Sequence, residues 1–252
     1  MQVSAAYIAE FSRRLDFLEE SAQGTLARLL EDVDTDDWDA VAAVVAAVCR
    51  PYTTMSAAIT AQFYDGIRRA ANAPGDYEAE GYSGYEPESA EGAVKARMQT
   101  GEAPAVASGK IVSREVNNAS RECVRRNCRR DPARPKYASV PTGSSPCAWC
   151  VMRASAGFVY DADSGSHDHC KCRLVPGFNG AQSVEGYDQS AYEDEWNEAA
   201  RAYRSGRISD EMRQRIADAK ARHAEDLAAG RDTKPWDSTN AILMVMRENR
   251  KQ

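Results

Sequence analysis

Cys147-Ala-Trp-Cys150 and Cys170-Lys-Cys172 are separated by nineteen residues, and His167 and His169 stand just before the second pair. Four of the seven cysteines in the chain therefore fall within 26 positions. A Cys-x-x-Cys at a helix start aims both thiolates at one ion, and a second pair on a turn or strand completes a tetrahedron. Cys170 and Cys172, two apart, share a face where the segment is extended. Six candidate ligands, Cys147, Cys150, His167, His169, Cys170 and Cys172, compete for four places. Thiolates dominate the set, so a closed structural zinc site is the favoured chemistry. A redox Cys-x-x-Cys belongs in a thioredoxin-like strand and helix pattern that is missing here. A catalytic zinc would need a vacant position and a placed general base.

The same stretch suggests its local structure. Tyr137–Val140, Phe158–Tyr160 and Cys172–Val175 read as three short strands, the last stopping before Pro176. Between them Ala148–Ala156 reads as a short helix ended by Gly157. A unit this small usually needs a staple, and the metal would be it. A disulfide framework is a poorer reading. Seven cysteines cannot all pair within the chain, and Met1 to Leu15 lacks a signal peptide's basic and long apolar regions, so a reducing cytosol is expected.

Outside the cluster the chain reads as helical. Tyr7, Ile8, Phe11, Leu15, Leu18, Ala22, Leu26, Leu29 and Leu30 recur at spacings of three and four, the mark of one buried helix face. Thr35 is placed to cap a second helix, which Pro51 should end, and a third runs over about 54–71. Residues 75–92, rich in Gly, Tyr and acids, read as a solvated linker. Helix returns from Pro104 to about Arg130, and the C-terminal block adds an amphipathic helix around Trp196, a charged one over 208–229, and a final apolar-then-basic segment. The expected class is α+β, mostly α. The expected division is an acidic helical bundle over 1–74, a flexible linker over 75–103, a small metal-stapled α+β domain over 104–180, and a helical region over 181–252. The longest apolar run, Ala40–Cys49, has ten residues, against the roughly 20 that span a bilayer, so no membrane partner is expected.

Charge is unevenly spread. Residues 1–92 carry 17 acidic and 6 basic side chains, whereas residues 93–136 carry 4 and 11. Only the middle block could face a polyanion. Its candidates for DNA contact are Arg121, Arg125, Arg126, Arg129 and Arg130, at a helix end where cations also suit the dipole.

The order of motifs resembles a known family. A strand ending in Val-Pro, a polar turn, Cys-x-x-Cys opening a helix, Ala-Ser-x-Gly, Phe-Val-Tyr, His-x-His-Cys-x-Cys and Leu-Val-Pro-x-Phe together resemble the MuF-like minor head proteins of tailed bacteriophages. The acidic helical region closing with AQFYDGIRRAA is similar to versions from phages of actinobacteria. The resemblance spans about residues 1–180. It implies a minor capsid protein packaged inside the procapsid, found in the virion and in the host cytoplasm during assembly. Its implied partners are the portal protein, the scaffold or major capsid protein, and packaged DNA, and its implied role is in head assembly and DNA packaging or ejection. Carried over by position, Cys147, Cys150, His167, Cys170 and Cys172 match the motif, and His169 ranks behind His167. That the cluster binds zinc is inferred from its chemistry.

Two other functions compete. A capsid maturation protease would need a nucleophile with a positioned base. The one histidine outside the cluster is His223, in a charged helical stretch, and there is no Gly-x-Ser-x-Gly elbow. The expectation is therefore not an enzyme. A DNA-binding protein ejected with the genome is the third class. The basic middle block supports it, and the acidic first block speaks against it.

Overall fold

The computed structural model describes residues 1–143, 145–161, 170–178, 180, 182–230 and 235–251. His167 and His169 lie outside the described residues. Along the chain run β1 (Gln2–Val3), α1 (Ala5–Leu30), α2 (Trp38–Ala70), α3 (Pro87–Gln99), α4 (Pro104–Arg130), β2 (Lys136–Val140), α5 (Ala148–Ser155), β3 (Arg173–Gly177), β4 (Ser183–Val184), α6 (Gln189–Arg204), α7 (Asp210–Ala228) and α8 (Ser238–Asn249). The class is α+β, mostly α. Two compact units result, one of Met1–Thr142 with Phe158–Tyr187, the other of Gly143–Gly157 with Asp188–Gln252. The stretch expected as one domain over 104–180 is thus divided, its residues 143–157 grouping with the C-terminal helices.

In the first unit, Ser4 caps α1 by accepting from the Tyr7 amide at 3.2 Å, and the expected stripe is buried from Ile8 to Leu26, whereas Tyr7 and Leu29 near its ends are exposed. The cap of α2 is Asp37, not Thr35: its carboxylate accepts from the Asp39 and Ala40 amides at 3.1 and 3.0 Å. Nor does Pro51 end that helix, which is 33 residues long in all and runs on to Ala70. Proline removes one helical hydrogen bond and crowds the carbonyl four residues back, that of Ala47. Two things offset this cost. Val41, Val45 and Val48 on one side of Pro51 and Phe63, Tyr64 and Ile67 on the other are all buried, so breaking the helix would expose apolar surface. Neighbouring carbonyls also gain side-chain donors: the Tyr85 hydroxyl reaches Ala46 O at 3.1 Å, and Thr53 and Thr54 both reach Arg50 O at 3.0 Å. Asn72, at φ 50°, then ends the helix in the left-handed conformation.

By length and composition α2 is apolar enough to cross a membrane. Here its apolar residues build a core with α1, α3 and α4.

The expected linker is instead held against its own unit. Tyr77 donates to Asn127 Oδ1 at 2.7 Å, the Glu80 amide reaches the same oxygen at 2.9 Å, and Asn127 Nδ2 returns a bond to Glu80 O at 3.0 Å. The Ala79 amide reaches Asp65 at 3.0 Å. Residues 87–99 then form α3, which buries Ala90, Val94 and Met98, one per helical turn. Tyr77, Ala79 and Tyr85, partly buried against the core, carry the burial that the acids of the stretch hide in a composition count.

β2 and β3 pair antiparallel from Lys136↔Gly177 to Val140↔Arg173, and β1 pairs parallel with β4. The expected strand at Phe158–Tyr160 is reduced to a single bridge, Tyr160 to Tyr137. β3 runs through Pro176, beyond its expected end, because a two-stranded ladder leaves one edge where a missing N–H costs nothing. A side chain at Gly177 would meet the Phe158 ring at 2.5 Å, so glycine lets that ring lie on the strand.

The second unit packs α5, α6, α7 and α8 around Val151, Ala199, Ala200, Met212, Ile242, Val245 and Met246. Asp188, Ser209 and Asp237 cap α6, α7 and α8, the last in a full capping box with Asn240. The apolar face of α8 is buried within this unit.

Candidate metal centre

Each cysteine pair is built by a different local device. In the second unit Cys147 is the N-cap of α5, and its sulfur accepts from the Cys150 amide at 3.4 Å. The two sulfurs lie 3.5 Å apart, Cys147 exposed and Cys150 buried. A helix start brings positions i and i+3 to one side, and the short helix expected after Cys147 is present.

In the first unit Cys170 and Cys172 are buried and lead directly into β3. The backbone around them is tied down from three directions. Arg121, on α4, donates from Nη2 to Cys170 O at 2.8 Å. Thr142 Oγ1 donates to Lys171 O at 2.5 Å. The Lys171 ammonium reaches Asp16 at 3.1 Å and Glu19 at 3.0 Å on α1. Arg173, its side chain 2% exposed, donates to Ser12 at 3.3 Å, Asn117 at 2.9 Å and Asp16 at 2.9 Å. Burial pushes the Arg173 pKa down while Asp16 opposes it. Burial likewise works against the charge on Lys171, but Glu19 and Asp16 outweigh it and raise its pKa. For Glu19, burial is outweighed by hydrogen bonds from Ser113, Asn117 and Lys171, so its carboxyl is held below the usual range.

Among the four cluster cysteines, Cys150, Cys170 and Cys172 are the buried thiols, and each is of a type that ligates metal. The other three cysteines are of a different kind. Cys49, Cys123 and Cys128 lie in the helical core, where burial pushes the first two up to about 12 and the third higher still. They remain protonated packing residues.

The five arginines proposed for DNA contact have partners within the first unit. Arg121 is buried on Cys170 and Asn118. Arg125 and Arg129 pair with Glu122 at 2.7 and 3.2 Å. Arg126 lies 3.9 Å over the Tyr82 ring and 3.6 Å from Glu80, which Arg130 also meets at 3.1 Å. Sequence reasoning missed Arg173 and Asn117 as supports of the cysteine segment. The available signal was a row of polar residues, Ser12, Asp16 and Glu19, beside the buried stripe of α1.

The fold defines a mostly α protein of the α+β class, with buried thiols at Cys150, Cys170 and Cys172. The VG15 protein family model matches residues 2–199. The chain belongs to that family, which is a viral (phage) one. No curated protein and no solved structure matches it.

Proposed function

We propose that this chain is a minor head protein of a tailed phage, packaged inside the procapsid and bound to the portal, acting in head assembly and in DNA packaging or ejection. Membership in a viral family over residues 2–199 carries this reading, and the motif order from Val140 to Phe178 supports the finer assignment. Within it, the cysteine cluster holds a structural zinc. Cys150, Cys170 and Cys172 supply three thiolates, and Cys147 or His167 supplies the fourth ligand, with His169 as the alternate. Zinc fits the donor set because thiolates dominate it and tetrahedral sulfur coordination is what that ion takes. The hydrogen bonds on Cys170, Lys171 and Arg173 support the same reading, since they hold the second pair in place before any metal arrives.

The role is tested by capture of the full chain with the portal protein of the same genome, followed by mass analysis of both. A stable complex with both chains intact is expected. No complex, together with clipped capsid or scaffold protein on co-incubation, would reverse the reading in favour of a maturation protease. The metal is tested separately by elemental analysis. Wild type should carry about one zinc per chain, and a Cys147→Ser plus Cys150→Ser variant should lose it and melt lower. Equal metal content and melting in the two would remove zinc from the account.

A further inference from the structure

The second unit contains a cavity of about 470 Å³ walled by Ser145 and Cys147 before α5, Arg215 on α7, and Arg247, Arg250 and Lys251 at the end of α8. Four cations line it, and among the described lining residues there is no carboxylate. In a chain of net charge −6 that is a local reversal of sign. Cations at the end of α8 suit its dipole, but this does not account for Arg215, which comes to the same cavity from another helix.

Acids brace these cations instead of filling the space between them. Glu248 holds Arg215 at 2.9 Å and Lys251 at 3.4 Å. Glu195 grips Arg250 through Nε at 2.5 Å and Nη2 at 3.1 Å, and Arg250 also donates to the Pro146 carbonyl. The Arg247 side chain has no hydrogen bond or ion pair among the described residues. Two guanidinium groups are thus pre-oriented and a third is uncommitted, all on one cavity. Planar guanidinium forks in such an arrangement match the oxygens of a phosphate group.

We propose that this cavity binds a phosphate group, with Arg247 as its free donor. The phosphate comes either from a DNA backbone or from a free phosphate ion. This moves nucleic-acid contact away from the end of α4, whose arginines are engaged by Glu80 and Glu122. The inference is independent of the portal assignment.

The test uses the full chain with two probes, a short DNA duplex followed by fluorescence anisotropy and inorganic phosphate followed by calorimetry. Variants are Arg247→Ser, which breaks no bond within the fold, and Arg129→Ser on α4 as the comparison. If the duplex is the source, Arg247→Ser binds it roughly tenfold more weakly, with a log affinity against log salt slope shallower by about one, and Arg129→Ser binds as wild type. If the ion is the source, phosphate binds with the same dependence on Arg247 and the duplex does not. Binding of neither probe at low salt, or binding that Arg247→Ser leaves unchanged, overturns the proposal. So does a third pattern, in which Arg247→Ser lowers zinc retention without touching either probe, because the cations would then serve the Cys147 thiolate.

Discussion

The interiors of the two units are built on different principles. The first unit buries Arg68, Arg121, Arg173, Asp131, Asn117 and Asn127, and each reaches partners distant in sequence. The second buries alanines, valines, isoleucines and methionines, with Arg153 its buried charge among the described residues. A buried ion pair contributes little net stability, but losing one partner leaves the other uncompensated in a low dielectric. An apolar interior is held by volume and area and accepts exchanges that conserve both. The first unit should therefore be brittle toward single polar substitutions, and the second tolerant of apolar ones.

The largest test of that contrast is Asp131→Ala. Asp131 is fully buried and accepts from Arg68 Nε at 2.8 Å and from the Tyr64 hydroxyl at 3.2 Å. Its removal should cost about 3–5 kcal/mol, read as a lower urea midpoint for the first unit. A loss below about 1 kcal/mol would mean that the pair behaves like a surface one. Next comes Met246, which is fully buried in the second unit. Met246→Ala should cost about 2–5 kcal/mol, whereas Met246→Leu should stay under about 1.5 kcal/mol. Equal penalties from the two would show that shape, and not volume, rules that core.

The smallest effect depends on pH. The Glu19 pKa is lowered in the folded state, so its contribution is fully present above the unfolded carboxylate value and fades as pH falls through the folded one. Glu19→Gln should accordingly be less stable than wild type at neutral pH, by about 1 kcal/mol, with the gap closing in acid. Denaturation midpoints measured at neutral and acidic pH decide it, and a gap that persists in acid would point to shape instead of charge.

Much of the helical structure was legible in the sequence because its signals are short-range. The α1 stripe from Ile8 to Leu26 repeats with the helical period, α4 begins at a proline and ends in arginines, and the paired thiols at Cys147 and Cys150 announce a helix start. Where the reading failed, a distant partner had overruled a local rule. Pro51 breaks a helix on its own but not between two buried stripes, and the 75–92 stretch reads as solvated until Asn127 and Asp65 supply partners for its backbone. Arg121 has the same composition signal as its neighbours at the end of α4, yet it is buried on the Cys170 carbonyl.

What the sequence determined by itself was the helical class, the helix faces and the grouping of thiols with metal-binding spacing, since periodicity and spacing are written along the chain. Tertiary structure alone decided which cations face a carboxylate and which face a cavity, and which polar residues of α1 and α4 hold the second cysteine pair. Those choices depend on groups that are neighbours in space and strangers in sequence, and burial multiplies the cost of choosing wrongly.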